Sequence, residues 1–402
     1  MASGVLFDPQ AARCADRDEL SLALMDARNR TLRWLAVFES AGKLLGGEGH
    51  AALPLRMIGQ SGWLQEFWIS RHVQRARGEA ADAASLRLAS IDPQADGWYG
   101  PGSDPAWSEA AAPSAADIRG YLAATLDTTL ELLAVAAPGD EAMHLFRLVL
   151  LLEDGLAERL AVAAQWLQID PGEAAAPCGP APARVQREAL WIPAQRFLLG
   201  SATGGLVPPN ERWAHAVDVP DFEIDAQPVS WARFVEFAED GGYDNAGVWS
   251  TVGWAWVQAE GRRAPRGVEQ LRGGVLLQRG REVQRAPGGQ SAVHLSWFEA
   301  DAWCRWAGRR LPTEVEWELA ACSAGSRGFA WGDVREWTAG SARAWPGGGA
   351  AVAGFAAPRV TAQRVLRGAS SWTLPRAAHP KARRFAADGC DDLFCGFRSC
   401  TA

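Results

Sequence analysis

The sequence predicts an α+β protein in which a four-helix bundle precedes a domain of short strands, few helices and long loops. Three observations lead to this prediction. The chain has 402 residues, more than a single domain usually contains. Apolar residues in its first half recur at helical spacing. In the second half, where the tryptophans are concentrated, short apolar runs alternate with turns rich in glycine and proline.

The first helix is predicted to begin after Asp16, whose side chain can cap it, with Glu19 in its first turn. The apolar residues of this segment lie three or four apart and therefore form one face of a helix. They are Leu20, Leu24, Ala27, Leu32, Leu35 and Phe38. A second helix is predicted over residues 54–77.

A third helix is predicted to open at Ser114, with Asp117 in its first turn. The Ala-Pro-Gly-Asp sequence at residues 137–140 breaks the helical pattern, and a fourth helix follows to about residue 167. Four amphipathic helices joined by loops of this length are typical of a bundle. We therefore assign residues 16–169 to a four-helix bundle.

Residues 170–188 are rich in proline, alanine and glycine and are predicted to form a linker. The second domain then covers residues 189–402. Its predicted strands include residues 196–199, 222–224 and 274–278. Its predicted helices cover residues 230–240 and 296–307. Because few of its segments are regular, we expect loops packed around aromatic side chains to hold this domain together.

Composition and charge argue against several classes of function. The 40 Lys and Arg residues against 47 Asp and Glu give a formal net charge of −7, and we expect no nucleic-acid partner because such partners usually need a basic face. No apolar run reaches the roughly 18 residues of a membrane span, and the first residues do not form an export signal. Seven cysteines without a regular framework are typical of a reducing compartment. The sequence thus predicts a cytoplasmic protein with no membrane partner.

A series of motifs in the second half resembles a known domain. In chain order they are Phe222-Glu-Ile-Asp-Ala-Gln-Pro-Val-Ser230, Gly241-Gly-Tyr243, Val293-His-Leu-Ser-Trp297, Ala302-Trp-Cys-Arg-Trp-Ala-Gly308, Arg310-Leu-Pro-Thr-Glu-Val-Glu-Trp-Glu318, Val365-Leu-Arg-Gly-Ala369 and Gly396-Phe-Arg398. Together they resemble the sulfatase-modifying-factor domain of formylglycine-generating enzymes, which has a C-type-lectin-like fold. Each motif is weak by itself, but their shared order is specific.

The helical half is similar to the DinB-like bundle that precedes this domain in ergothioneine synthases. Two segments resemble selenoneine synthase more closely: Trp331-Gly-Asp-Val-Arg-Glu-Trp-Thr338, and Leu86-Arg-Leu-Ala-Ser-Ile91 with Trp98-Tyr99 after it. The resemblance covers about residues 16–400. It implies an enzyme that joins a sulfur or selenium donor to the imidazole ring of hercynine with the help of non-haem iron.

In that family three histidines hold the iron, one in the second helix and two that lie four residues apart in the fourth. Side chains at i and i+4 point the same way from a helix, so both imidazoles can reach one metal. Here Gln60 occupies the first position and Leu152 and Leu156 the other two, in a register that Glu153 and Glu158 fix. We call Gln60, Leu152 and Leu156 the family metal positions. Leucine cannot bind a metal, and an amide is a poor ligand for Fe(II).

We therefore expect no cofactor, with iron or copper held by unidentified ligands as the alternative. Cys390, Cys395 and Cys400 lie five apart, and formylglycine-generating enzymes bind copper through a Cys-x4-Cys pair in this region. However, Cys395 directly precedes Gly396, which displaces the pair from the family's site. Buried thiols that act as small apolar groups are the preferred interpretation.

The preferred functional interpretation is a degenerate paralogue of the enzymes that form C–S or C–Se bonds on hercynine, one that binds a small betaine or a thiol or selenol ligand without iron. Aromatic faces attract a trimethylammonium group, and guanidinium groups hold carboxylates. The ligand-binding candidates are Gln60, Trp63, Glu153, Arg335, Trp337, Trp372, Arg383, Asp391 and Asp392. Two alternatives stay open: an active synthase of the selenoneine or ergothioneine type with an atypical metal site, and a structural interaction module in which the tryptophans form the core.

Overall fold

The computed structural model confirms an α+β architecture, with a helical first half and a second half of short strands, helices and loops. It describes residues 2–46, 53–82, 84–100, 103, 107, 112–346, 352–355 and 363–402. Within these residues, no helix combines the length and the apolar character that a bilayer crossing would require.

The helices of the first half form the predicted bundle. They are α1 (Ala2–Phe7), α2 (Pro9–Cys14), α3 (Arg17–Ser40), α4 (Pro54–Trp68), α5 (Ala95–Tyr99), α6 (Ala115–Ala134) and α7 (Asp140–Trp166). The four long helices pack in a ring, because α3 and α4 each contact both α6 and α7. The predicted caps are confirmed: Asp16 and Ser114 each accept a hydrogen bond from the backbone of the first turn and complete a capping box with Glu19 and Asp117.

The second helix ends at Trp68, so the prediction that it continues to residue 77 was wrong. The carbonyl of Arg71 accepts a hydrogen bond of 3.0 Å from the amide of Leu88, which takes the backbone out of the helix and pairs it with a later loop. A short 3-10 helix, Arg75–Ala80, follows. The sequence pattern typical of a helix continues past Trp68, but the backbone there forms hydrogen bonds outside the helix.

The segment between the two halves packs against both of them. It contains a 3-10 helix, Gly172–Ala175, in which Ala174 and Ala175 are buried beside the bundle. Further along, the amide of Arg184 donates to the carbonyl of Gly289 at 2.9 Å. The chain here is held in place by contacts with the bundle and with the second half.

The second half contains four longer helices, further 3-10 turns and thirteen short strands among its described residues. The helices are α8 (Trp231–Glu239), α9 (Thr251–Glu260), α10 (Trp297–Trp306) and α11 (Glu314–Ser323). The strands are β1 (Leu190–Ile192), β2 (Gln195–Leu199), β3 (His215–Val219), β4 (Phe222–Ile224), β5 (Val268–Gln270), β6 (Val275–Arg279), β7 (Glu282–Ala286), β8 (Arg309–Arg310), β9 (Arg335–Ser341), β10 (Arg364–Arg367), β11 (Arg383–Ala386), β12 (Cys395–Gly396) and β13 (Cys400–Thr401). The 3-10 turns are Pro209–Glu211, Ala246–Val248, Gly325–Arg327 and Pro375–Ala377.

These strands form small sheets instead of one large sheet. Two sheets have four strands, in the orders β1-β4-β13-β8 and β11-β10-β9-β12, and β12 runs parallel to β9. The strands β5, β6 and β7 form an antiparallel sheet of three, and β2 pairs with β3. The predicted strands and the two predicted helices are confirmed, whereas α9 and α11 were not predicted.

Aromatic side chains fill the core of the second half, as expected. Trp231, Phe234 and Phe237 from α8 are fully buried, and Trp303 from α10 packs its ring 5.4 Å from that of Phe397. Rings of this size remove a large apolar area from water and let short elements form one stable core.

Three buried ion pairs join the two halves: Arg13 with Glu211, Asp154 with Arg376, and Glu158 with Arg335. Buried ions need such partners because the loss of hydration is costly. Two of the three acids lie on α7, which therefore contacts both the interior of the bundle and the second half.

Candidate functional site

A cavity of about 720 Å³ lies where the bundle, the connecting segment and the second half meet. We call it the junction cavity. Its walls come from the C-terminal ends of α3 and α7, from residues within 169–181, from the β6–β7 hairpin and from residues around His294 and Trp372. This volume is typical of a site for a small molecule.

One wall of the junction cavity is aromatic. The ring of Trp372 stacks on Phe394, with centroids 5.2 Å apart and planes inclined by 18°. Phe394 lies 5.3 Å from the ring of His294, which in turn meets Trp166 edge-on at 4.8 Å. Trp372 and Phe394 line the cavity, and the face of an aromatic ring can attract a cation through the ring quadrupole.

His294 contributes an imidazole ring, with its two nitrogen atoms, to this wall. Its Nδ1 lies 2.8 Å from the carbonyl oxygen of Leu393. Because a carbonyl oxygen only accepts, Nδ1 must carry the hydrogen, which leaves Nε2 with an unshared electron pair. Burial lowers the pKa of His294 to about 4, so the ring is neutral near pH 7.

The backbone of His294 is also unusual, with φ at 63° in a residue other than glycine. Residues other than glycine rarely adopt this left-handed backbone conformation. It persists where the surrounding structure holds it in place. The hydrogen bond to Leu393 and the rings on both sides provide that support. The residue is thus fixed in orientation against the cavity.

A basic residue lies on the hairpin wall of the junction cavity. Arg279, at the end of β6, donates from Nη2 to the side-chain oxygen of Gln290 at 2.6 Å. Glu282 lies opposite Arg279 in the β6–β7 register, yet no ion pair joins them in the part of the chain that the structure describes. Burial lowers the pKa of Arg279. This is expected for a buried guanidinium that has no carboxylate nearby to stabilise its charge.

One carboxylate that lines the junction cavity, that of Asp333, is already paired. Arg184 holds Asp333 with two hydrogen bonds, of 2.6 and 2.7 Å, and Ser291 donates a third at 3.0 Å. Asp333 therefore has little capacity left for a ligand.

The family metal positions lie apart from the junction cavity, on α4 and α7. Gln60 is half-buried, Leu156 is buried, and Leu152 packs against Gly354, where an added Cβ would approach its side chain to 2.7 Å. One amide and two hydrocarbon side chains do not form a donor set for iron. In the described parts of the chain, no group of three His, Cys, Asp or Glu side chains is placed to hold a metal ion.

The two acids that flank the leucines both have arginine partners. Arg28 donates to Glu153 through Nε at 2.8 Å, and the Thr31 hydroxyl donates at 2.8 Å. Arg335 donates to Glu158 through Nε at 2.8 Å, and Ser370 donates at 2.6 Å. These acids stabilise the bundle and its contact with the second half.

The Glu158 carboxylate is strongly acidic in this setting. Burial alone would raise the pKa of Glu158, but the guanidinium groups of Arg335 and Arg384 and the hydrogen bonds lower it to about 2. The carboxylate is therefore ionised near neutral pH. Arg335, a predicted ligand-binding residue, is occupied by this interaction.

Several other candidates lie in the core or in ion pairs and not in the junction cavity. Trp337 is fully buried and donates from its indole nitrogen to the carbonyl of Leu295 at 2.7 Å. Arg383 holds Glu314 through two hydrogen bonds, of 2.7 and 3.0 Å. Trp63 donates to Asp96 at 2.8 Å within the bundle. Their polar atoms are used by the fold itself, so they do not form the expected ligand pocket.

The acidic pair near the C-terminus is likewise structural. Asp391 is buried against Arg262 and Arg266, and the backbone carbonyl of Asp392 accepts from the indole of Trp166 at 2.6 Å. Cys390, Cys395 and Cys400 carry free thiols, and burial raises the pKa of each. Protonated thiols of this kind are poor metal ligands.

Of the predicted candidates, Trp372 lines the junction cavity, together with His294 and Arg279, which the sequence analysis did not propose. The signal for His294 was present in the sequence, because it places a polar ring between the apolar residues Val293 and Leu295, just before the helix cap Ser296. Arg279 gave no signal, since an arginine at the end of a short strand is common on protein surfaces.

Comparison with known proteins agrees with this architecture. The sequence profile of the Sulfatase-modifying factor enzyme 1-like domain matches residues 175–333. A hercynine oxygenase of Mycolicibacterium thermoresistibile is 32% identical over 331 residues, which cover 79% of this chain and 70% of that relative. The chain belongs to the hercynine oxygenase family. The predicted resemblance to ergothioneine-type enzymes and the predicted type of the second domain are thereby confirmed.

Two further members of the hercynine oxygenase family match more closely over shorter segments. The relative from Mycolicibacterium smegmatis is 39% identical over 154 residues, which cover 36% of this chain and 35% of that protein. The relative from Mycobacterium tuberculosis is 43% identical over 127 residues, or 31% of this chain and 29% of that protein. These matched segments span well under two thirds of either relative.

Proposed function

We propose that this member of the hercynine oxygenase family binds a small betaine, or a related thiol or selenol ligand, in the junction cavity without the three-histidine iron of its relatives. The observation that carries the proposal is the chemistry of the family metal positions. Leu152 and Leu156 offer hydrocarbon, and Leu152 packs against Gly354. Hydrocarbon side chains at these two positions need neither a metal nor a hydrogen-bond partner, which supports a bundle that is stable without iron.

The junction cavity supports a zwitterionic ligand. The faces of Trp372 and Phe394 suit a trimethylammonium group, and Arg279 suits a carboxylate. A betaine of histidine carries both groups, together with an imidazole that can donate to the unshared pair on Nε2 of His294. The pocket thus matches hercynine more closely than it matches a simple cation or anion.

The test is a calorimetric titration of the full chain with hercynine, and with histidine as the ligand that lacks the methyl groups. We expect hercynine to bind more tightly than histidine by a factor of at least a few, because a cation–π contact contributes about 0.5–2 kcal/mol. Replacing Trp372→Leu should remove this preference. Replacing Arg279→Gln should weaken both ligands by about tenfold, the usual effect of losing a charge-assisted hydrogen bond.

Matched controls are Trp191→Leu, at an exposed residue of β1, and Arg285→Gln, at an exposed residue of β7 that does not line the junction cavity. Both should bind hercynine like the unmodified chain. The proposal fails if hercynine does not bind, or if the Trp372 and Arg279 variants bind it as the controls do.

A second candidate function is an active synthase with an atypical metal site. The unshared electron pair on Nε2 of His294 favours it, because such a nitrogen is a common metal ligand. The similarity of residues 331–338 to selenoneine synthase would then indicate selenium as the transferred element. One tightly bound metal per chain would favour this candidate over the metal-free binder.

A further inference from the structure

The junction cavity is larger than the betaine proposed for it. Its volume of about 720 Å³ lies in the range that drug-sized molecules occupy, and hercynine is a smaller molecule than these. Trp372, Phe394, His294 and Arg279 are the groups assigned to the betaine, and all four belong to the second half. The cavity is also lined by residues of the bundle, to which the proposed function assigns no part of the ligand.

Five apolar side chains on the bundle side line the cavity. They are Val37, Ala41, Ala161, Ala164 and Ile169, and we call them the bundle wall. Val37 lies in the last turn of α3 and Ala41 at its C-cap, four residues later, while Ala161 and Ala164 lie three apart on α7. Each pair therefore shares one face of its helix. Alanine side chains are small, so they leave space in the cavity that a larger residue would fill.

The bundle wall continues the aromatic wall of the cavity. Three of its residues belong to the same buried apolar cluster as Phe394, and the other two, Val37 and Ala41, pack against that cluster, as does Trp372. The apolar surface thus extends from the ring faces to the aliphatic side chains. A ligand held by the rings can reach the bundle wall without leaving this surface.

The polar side chains that line the cavity next to the bundle wall already have partners. The side-chain nitrogen of Gln165 donates to the carbonyl of Gln278 at 2.5 Å, and the hydroxyl of Ser40 donates to a carbonyl of its own helix at 3.0 Å. The carboxylate of Asp170 accepts from the amide of Gly172 at 3.0 Å. A polar ligand group placed here would lose its hydration and find few partners, whereas hydrocarbon would lose nothing.

We propose that the ligand of the junction cavity is a quaternary ammonium compound with an aliphatic substituent, and that this substituent lies along the bundle wall. The inference rests on the proposed function, which places the ammonium group against Trp372 and Phe394, and it adds the second part of the ligand. The rings attract the cation, and the aliphatic group removes the bundle wall from water. Each methylene group buried in this way strengthens binding by about twofold to fourfold.

The test is a calorimetric titration of the full chain with two probes that share one cationic group, tetramethylammonium and hexyltrimethylammonium. We expect the hexyl compound to bind at least about tenfold more tightly, because its chain adds buried methylene groups. Ala41→Phe, at a half-buried position of the bundle wall, should remove most of this advantage and leave the affinity for tetramethylammonium unchanged. The matched control is Ala36→Phe, at an exposed residue of the same helix that does not line the cavity. It should bind both probes like the unmodified chain.

A second variant keeps the test decisive if Ala41→Phe does not fold. Val37→Thr preserves the shape of the side chain and adds a hydroxyl group to the bundle wall. Because the hexyl chain would then cover a polar group, its affinity should fall by about twofold or more, while that of tetramethylammonium should not change.

Equal affinities for the two probes would overturn the inference, and so would a hexyl advantage that both bundle-wall variants retain in full. Trp372→Leu distinguishes this failure from a failure of the ammonium site. It should weaken both probes by the same factor, because both present the same cation to the ring. If it binds tetramethylammonium as tightly as the unmodified chain does, the proposed function is overturned, and this inference with it.

Discussion

The two leucines at the family metal positions change what the bundle interior can do. An imidazole in that place must find a metal or a hydrogen-bond partner, whereas an isobutyl group needs only contact with its neighbours. Leu156 is 2% exposed and belongs to an apolar cluster with residues of α3, α4 and α6. The interior of the bundle is apolar around Leu156 because the side chains that meet there are hydrocarbon.

His294 shows the opposite change, in which a titratable ring enters an aromatic wall. Its pKa of about 4 predicts that the ring stays neutral down to about pH 5. We expect its Cε1 proton resonance to show no titration between pH 8 and pH 5.5, measured by NMR with His294→Gln for assignment. A midpoint near pH 6.5 would contradict this prediction.

The same shift makes stability depend on pH. The unfolded chain binds a proton at His294 near pH 6.5, whereas the folded chain does so only near pH 4. Acidification through this interval therefore favours the unfolded chain, and His294 lowers the free energy of unfolding as the pH falls from about 6.5 to 4. Urea unfolding at pH 7 and pH 5 should show a smaller pH effect in His294→Gln than in the unmodified chain.

At the scale of elements, α7 connects the bundle to the second half. Glu153 faces Arg28 inside the bundle, while Asp154 and Glu158 face arginines from the second half. Three acids of one long helix thus pair with three different arginines. The position of α7 therefore determines how the bundle meets the second half.

The pair of Glu158 and Arg335 should therefore contribute strongly to stability. Glu158→Gln leaves the Arg335 guanidinium buried without its carboxylate, and we expect a loss of about 3–5 kcal/mol in the free energy of unfolding in urea. The control, Glu39→Gln, breaks an exposed ion pair with Arg119 and should leave unfolding almost unchanged. Equal unfolding curves for the two variants would contradict this assignment.

Elements with local signals could be predicted from the sequence, and those fixed by distant contacts could not. The caps at Asp16 and Ser114 lie within four residues of their partners, so pattern alone finds them. Thr313 and Glu316 form the same kind of cap on α11, a signal that was present but not used. The end of α4 depends on Leu88, which a local pattern does not reveal.

The candidate site was harder to predict for the same reason. Arg335 was predicted to bind a ligand, but it pairs with Glu158, which is 177 residues away. Trp337 and Trp372 have similar sequence surroundings, yet one is core and the other lines the cavity. Burial and long-range pairing decide between these outcomes, and neither can be read from spacing.

At the scale of the whole molecule, the chain belongs to the hercynine oxygenase family, and we propose that the chemistry at its family metal positions differs from that of its relatives. If the register is correct, Gln60→His, Leu152→His and Leu156→His together should create a site that binds about one Fe(II) per chain. The control replaces Leu152→Asn and Leu156→Asn, which adds polar groups without good metal ligands. Equal iron uptake by the two variants, or no uptake by the histidine variant, would contradict the register.

We propose that the unmodified chain holds no iron at the family metal positions. The most direct measurement is elemental analysis of iron, copper and zinc per chain in protein purified without chelators. We expect well under one metal ion per chain of any of the three. One tightly held ion per chain would contradict the claim and would make the atypical synthase the better account.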